Sequence, residues 1–431
     1  ENSLLDGSAI DTSSMLAVAA TLLALILSMA MWQMLRHLRS TCHPKLPFGD
    51  VVKVVMLPHA KYIDGKIFPL CLSPSNESKA DRVRFVREHR EELIDTVRKY
   101  GAVMLRGWGP CGPDHFAGVA AALGLPVTDM ACSAGPRFEV APHVFTANEA
   151  PPSERIPFHH EMAQCDLPPS IVIFFCEVAA TEGGATPILQ SHLAAAYLNA
   201  RHPMVAERLR EQGVRYVRIM PPITDPSSAL GKSWKNALRV ESREAAEVAL
   251  RALGSTWTWL PDGMLRTVTK AMPALLHDKR SGREVFFTAA ESTFNSVEDE
   301  VAVALEDTSS ARGEGQTDGP IRPVKAIIFG DGSPLDSEAK AALHDVSTFM
   351  HNEQVVVPWQ PGDALILDNA TVQHAREKFT PPRRILASLV GQLSKVGELH
   401  DAELGAKAVC SVSPSSTIDG LGVYQNVAPA M

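Results

Sequence analysis

The segment FHHEMAQCDLPPSIVIFFC, residues 158–176, sets two histidines and a glutamate just ahead of a long apolar run. That run, continued as IVIFFCEV (171–178), is apolar on both faces and reads as a central strand. Three polar side chains at the mouth of a core need a reason, because burying such groups without partners is costly. A metal would supply one; a hydrogen-bonded structural cluster or a surface location would be blander explanations. In an extended segment residues i and i+2 share a face. His159 and Glu161 then face one interior point while His160 faces away. Two ligands do not close a metal site, so a third has to come from elsewhere in the chain.

Working outward, 81–100 carries apolar residues at helical spacing and ends at Gly101, and AVMLRGW follows as a buried strand. Pro113 opens a helix, DHFAGVAAALG, stopped by Gly124. After the central strand, GGATPI allows a tight turn. Helices follow at SHLAAAYLNA, HPMVAERLREQG and ESREAAEVALRALG, with RYVRIM as a strand among them. The stretch 294–320 turns polar and Gly-rich and reads as an excursion from the core. The closing third, VKAIIFGDG, EQVVVPW, DALILDN and RRILASLVG, reads as short strands. Helices gathered early and strands dominating late predict an α+β protein with a strand-rich core.

The 431 residues are 45% hydrophobic and 21% charged, an ordinary globular composition. A net charge of −8 argues against a nucleic-acid binder, which would carry a basic stripe. Seven dispersed cysteines without a CxxC pair read as free thiols in a reducing compartment.

The N-terminal portion contains MLAVAATLLALILSMAMW (15–32), 18 residues without a charge. As a helix it would span roughly 27 Å, near the thickness of a bilayer's hydrocarbon core. The residues before it are acidic (Glu1, Asp6, Asp11), whereas Arg36, Arg39 and Lys45 follow it. This asymmetry predicts a transmembrane helix at about 15–35 in a segment 1–40, with the C-terminal domain on the cytosol-like side. A single-pass membrane protein follows as an expectation, and the inner membrane of a mitochondrion or chloroplast fits it. Residues 41–60 are then a linker, 61–392 the main domain and 393–431 a C-terminal tail.

The best third ligand is His374 in ALILDNATVQHAREKF, just after an apolar strand closed by Asp-Asn. Two imidazoles and one carboxylate make the facial triad that holds non-haem Fe(II) with open positions. Zinc could use the same set. Ten residues on, PPRRIL offers Arg383 and Arg384 on opposite sides of a strand, so one can point inward. An inward Arg fork suits a carboxylate, and Thr186 in GGATPI could add a hydrogen bond. Fe(II), an Arg and a Thr together would seat 2-oxoglutarate.

At this point the chain resembles the TauD/TfdA family of Fe(II)/2-oxoglutarate dioxygenases, in its plant-type clavaminate-synthase-like branch. The resemblance runs from about 61 to 390. It is carried by IDGKIFPLCLSP, GAVMLRGW, VFTANEAPPSERIPFHHEMAQ, GGATPI, SWK, WLPDG, FGDGSPL, VPWQPGDALILDN and HAREKFTPPRRILASL, in that order. It implies a double-stranded β-helix, or jelly roll, with flanking helices. It implies His159, Glu161 and His374 as iron ligands, and Arg384 with Thr186 beside the distal carboxylate of 2-oxoglutarate, Arg383 being the second choice. Halogenating relatives lack the carboxylate that Glu161 supplies, so hydroxylation is the expected outcome. FFTAAES carries Thr288 where relatives often have Asn, beside the expected substrate pocket.

The expectation is a membrane-anchored oxygenase acting on a small molecule, with the lipid bilayer as a partner through 15–35. The alternative is an accessory subunit of a membrane complex that reuses a dioxygenase fold, its neighbouring subunits being the partners. A zinc hydrolase or cupin-like binder would leave Arg384 and Thr186 without a role.

Overall fold

Apolar runs bounded by Gly, Pro and Asp become strands, and the order of those strands builds the site. A computed structural model describes residues 46–76, 80–128, 137–147, 150–225, 230–289, 324–395 and 399–401. In chain order the frame begins with β1 (Val52–Val55), β2 (Leu70–Pro74), β3 (Ala102–Leu105), β4 (Glu139–Ala141) and β5 (Val144–Thr146). It continues with β6 (Ile156–His159), β7 (Ile171–Val178), β8 (Thr186–Gln190), β9 (Val214–Met220), β10 (Thr256–Trp259) and β11 (Leu265–Val268). It closes with β12 (Val324–Phe329), β13 (Val355–Val357), β14 (Ala364–Asp368), β15 (Val372–Arg376) and β16 (Arg384–Val390).

Eight strands form one sheet in the order β1-β2-β3-β14-β7-β16-β5-β4. β2 and β3 run parallel, whereas β7 pairs antiparallel with both β14 and β16. The central place read for β7 from its two apolar faces is the one it occupies. A second sheet has the order β13-β8-β15-β6. Phe174, Leu365, Leu367 and Ile385 from the large sheet meet Ile188, Val357 and Val372 from the small one in a shared core. Each such side chain, fully buried, contributes roughly 1.5–3 kcal/mol. The result is an α+β jelly roll, and the metal-site strands β6 and β15 sit together at one edge of the small sheet. A third sheet, β10-β11-β9-β12, completes the frame.

The helices are α1 (Arg82–Glu88), α2 (Arg90–Tyr100), α3 (Pro113–Ala122), α4 (Ser191–Arg201), α5 (Pro203–Gln212), α6 (Trp234–Leu238), α7 (Arg243–Ala252) and α8 (Ser337–Glu353). Asp81 caps α1 by accepting from the Arg84 N–H at 2.9 Å. The stretch read as one helix over 81–100 is two, because His89 leaves helical geometry at φ −120°, ψ 28°. Gly101 ends α2 at φ +79°, where a Cβ would come within 2.9 Å of a Val372 methyl carbon. The strand-only reading of the closing third misses α8, whose N-terminus Asp336 caps through the Ala339 N–H.

Strands also lie outside 61–392. β1 lies inside the stretch read as a linker, paired along its length with β2. Residues 393–394 and 400–401 pair as a short hairpin, and Leu399 is fully buried, so the packed structure runs past 392. No helix among the described residues is long and apolar enough to cross a membrane. The predicted span at 15–35, the excursion at 294–320 and the tail beyond 401 lie outside the described residues.

Candidate metal centre

Strand register brings the ligands together. His159 at the end of β6 lies directly opposite His374 on β15, with ring centroids 4.3 Å apart. The chain leaves β6 after His159, and Glu161 sits in the following turn with Met162 at φ +57°. The Glu161 carboxylate is 3.9 Å from His374 Nε2. One candidate ligand atom from each of the three residues lies within 4.8 Å of the others, the only such group of His, Cys, Asp or Glu among the described residues.

His160 faces away, as the alternation requires. Its Nε2 is 2.7 Å from Ser191 Oγ, its ring stacks on Phe287, and its Nδ1 accepts from the Thr288 N–H at 3.3 Å. It is a satisfied core histidine. Thr288, expected beside the substrate, is buried in this same network, with its hydroxyl 3.3 Å from that of Tyr216.

The residues present fit a divalent metal. His159 donates from Nδ1 to the Pro157 carbonyl at 2.9 Å, which leaves Nε2 with its lone pair. The His374 ring is buried, yet its Nδ1 has no hydrogen-bond partner among the described residues. Burial lowers the pKa of both imidazoles, against the pull of Glu161 on His159 and reinforced at His374 by His159 and Arg137. Burial alone would raise the Glu161 pKa, but Arg137 and His159 outweigh it and hold the carboxyl below its ordinary value. Neutral imidazoles beside an ionised carboxylate are the protonation states a metal needs.

Other side chains fix Glu161. Arg137 donates to both its oxygens at 3.0 and 3.2 Å. The Asn369 side chain grips its backbone, accepting from the Glu161 N–H at 2.9 Å and donating to its carbonyl at 3.0 Å. Neither Arg137 nor Asn369 is singled out by sequence reasoning. The Asp-Asn ending β14 is visible there, but only as strand punctuation.

A cleft opens from the triad, lined by His159, Phe174, Thr186, His374, Arg383 and Ile385 among others. Trp359 Nε1 donates to Thr186 Oγ1 at 2.9 Å, so the Thr186 proton is available to a ligand. Of the two arginines, Arg383 lines this cleft and Arg384 does not. On β16, Ile385, Ala387 and Leu389 point into the shared core, and the period of two carries Arg383 to that side. Arg384 is instead 46% exposed and pairs with Glu177 at 2.9 Å. The choice of Arg384 for the cleft is therefore corrected to Arg383. Gly184 makes room for it: at φ +68°, a Cβ there would meet Arg383 Cδ at 2.8 Å, and Arg383 Nε donates to the Gly184 carbonyl.

Comparison with known proteins agrees with this chemistry. The model of the family described as taurine catabolism dioxygenase TauD, TfdA family, matches residues 72–389. A clavaminate synthase-like protein of Arabidopsis thaliana is 35% identical over 340 residues, covering 77% of this chain and 96% of that protein. The dapdiamide synthesis protein DdaC of Enterobacter agglomerans is 25% identical over 319 residues, covering 74% and 90%. Among solved structures, PvcB of Pseudomonas aeruginosa aligns with 82% of this chain and 96% of its own, at 15% identity and a TM-score of 0.45.

Proposed function

Because the chain belongs to the TauD/TfdA family of Fe(II)- and 2-oxoglutarate-dependent dioxygenases, we propose that it hydroxylates a small molecule at the centre formed by His159, Glu161 and His374. The observation that carries this reading is the cross-strand pairing of His159 with His374 beside an ionised Glu161. Bound Fe(II) and 2-oxoglutarate supply the oxygen activation and the oxidising power; the protein supplies position and a water-poor pocket.

Arg383 and Thr186 are the residues for the distal carboxylate of the co-substrate. The guanidinium offers charge-assisted hydrogen bonds and the Thr186 hydroxyl a further donor. Phe174, edge-on to His374 at 5.0 Å between ring centroids, walls the metal side of the cleft. Intact Glu161 would supply a carboxylate to the metal, which favours hydroxylation over halogenation.

The test is an anaerobic titration of the full chain with Fe(II) and then 2-oxoglutarate, following the visible charge-transfer band of the chelated co-substrate. A band that disappears in His159→Ala supports the oxygenase. No band, with the protein migrating inside a large membrane assembly, would favour the accessory subunit instead.

Membrane anchoring through 15–35 belongs to the same proposal and rests on the uncharged run and the basic residues after it. Deleting 1–40 should release the protein from membranes; persistent association would overturn this part.

A further inference from the structure

Between the metal-site strand β15 and the cleft strand β16 the chain makes a short detour, EKFTPPR (377–383), with one aromatic ring on it. Phe379 and Thr380 pair antiparallel with Gly183 and Glu182. The approach is close: at Gly183, φ +67°, a Cβ would collide with the Lys378 carbonyl. Backbone bonds continue the pairing toward Thr186, from the Gly184 N–H to the Lys378 carbonyl at 2.9 Å and from the Glu377 N–H to the Ala185 carbonyl at 3.1 Å. On the other side the Phe379 N–H donates to the Pro152 carbonyl at 3.0 Å. The half-buried Phe379 ring is thus fixed beside the cleft by its own backbone.

Two guanidiniums meet this ring. Arg383 lies over it with the guanidinium carbon 5.2 Å from the ring centroid, and Arg376 does so at 5.3 Å. A cation over an aromatic face within about 6 Å is attracted by the ring quadrupole. Both arginines line the cleft. Arg376 donates to the carbonyls of Ala150, Pro151 and Glu154 at 2.9, 2.8 and 2.7 Å, so it is committed to the segment leading into β6. Arg383 donates from Nε to the Gly184 carbonyl at 2.8 Å.

Arginine has a long side chain with much rotamer freedom, and a ligand that must first order it binds more weakly. A single backbone acceptor such as Gly184 leaves the guanidinium able to swing about that bond. A ring beneath the guanidinium removes this freedom. An aliphatic side chain at 379 would fill similar space but has no face that attracts a cation.

We propose that Phe379 is a positioning residue of the co-substrate site, its ring holding the Arg383 guanidinium at the cleft for the distal carboxylate of 2-oxoglutarate. Phe379 acts through Arg383, and Arg376 on the same ring ties that seat to the 150–154 segment. This inference deepens the oxygenase reading and rests on its assignment of Arg383.

The experiment titrates the full chain anaerobically with Fe(II) and then 2-oxoglutarate, in native, Phe379→Leu and Phe379→Tyr forms. Phe379→Leu should weaken 2-oxoglutarate by roughly 3- to 30-fold, the range of a guanidinium–ring contact from exposed to desolvated. Iron affinity should stay native, and Phe379→Tyr, which keeps the ring, should keep native co-substrate affinity. Loss in both variants, or in neither, would overturn the proposal; Phe379→Met takes the place of the Leu variant should that one not fold. A second measurement needs no metal: phenylglyoxal labelling of Arg383, read by peptide mass spectrometry. Labelling should be faster in the aliphatic variant than in the native and Tyr chains, and equal rates in all three would overturn the role of the ring. Absence of the charge-transfer band in the native chain is a separate result that overturns the oxygenase reading, and the labelling rates then decide whether Phe379 holds Arg383.

Discussion

Asn369 holds Glu161 by both of its backbone polar groups: its side-chain oxygen accepts from the Glu161 N–H at 2.9 Å and its amide donates to the Glu161 carbonyl at 3.0 Å. A third bond, from the same amide to the Pro169 carbonyl at 2.9 Å, ties this grip to the start of the central strand. The Asn369 side chain is fully buried. The carboxylate in a turn is therefore as firmly placed as the histidines on strands.

Asn369→Ala should lower Fe(II) affinity by about 10- to 100-fold, the usual cost of losing a residue that orients a ligand. It should also reduce stability by about 1–3 kcal/mol, because buried backbone groups lose their partners. Iron binding by competition with a chelator, beside urea denaturation, separates the two effects. Unchanged iron affinity in a destabilised variant would reduce Asn369 to a packing role.

His374→Ala should abolish Fe(II) binding and leave the fold intact, since the ring makes no hydrogen bond from Nδ1 among the described residues. Metal analysis of the purified variant with a far-UV spectrum checks both halves. Full iron occupancy would sink the triad assignment.

Arg383→Ala should weaken 2-oxoglutarate by roughly 10- to 100-fold, the loss of a charge-assisted pair, while iron binding persists. Arg384→Ala removes only a part-exposed pair with Glu177 and should cost at most about 1 kcal/mol of stability, with co-substrate affinity unchanged. The charge-transfer band, titrated in both variants, compares them directly. Loss in Arg384→Ala alone would reverse the assignment.

Arg280 joins three carboxylates, bonding Asp278 at 3.0 Å, Asp368 at 3.0 Å and Asp401 at 3.4 Å. Arg280→Met should destabilise the protein by about 3–5 kcal/mol by stranding buried charge. Burial already raises the Asp368 pKa against the pull of Arg280, and removing Arg280 raises it further. A carboxyl whose folded pKa exceeds its unfolded one binds the proton more tightly when folded, so stability falls as pH rises through that window. The deficit of Arg280→Met should thus be smaller near about pH 5 than near about pH 8. Denaturant midpoints at the two pH values test this, and an equal deficit would show that Asp368 does not carry it.

Whatever depends on short-range periodicity is legible in the unfolded chain. A period of two places His159 and Glu161 on one side and His160 on the other, and the structure keeps that division although Glu161 lies past the strand. The doubly apolar run at 171–178 implies a central strand for the same local reason. Gly101 and Pro113 likewise mark boundaries, because their backbone constraints act within one or two residues.

Whatever needs a partner strand becomes legible only in the folded chain. RILASLV is apolar on both faces, so nothing local says which of Arg383 and Arg384 faces inward; the packing of Ile385, Ala387 and Leu389 between two sheets does. Asn369 looks like strand punctuation until β14 is set beside the turn that carries Glu161. Side-chain alternation is fixed by the backbone of one segment, whereas register is fixed by two segments that meet only in the folded chain.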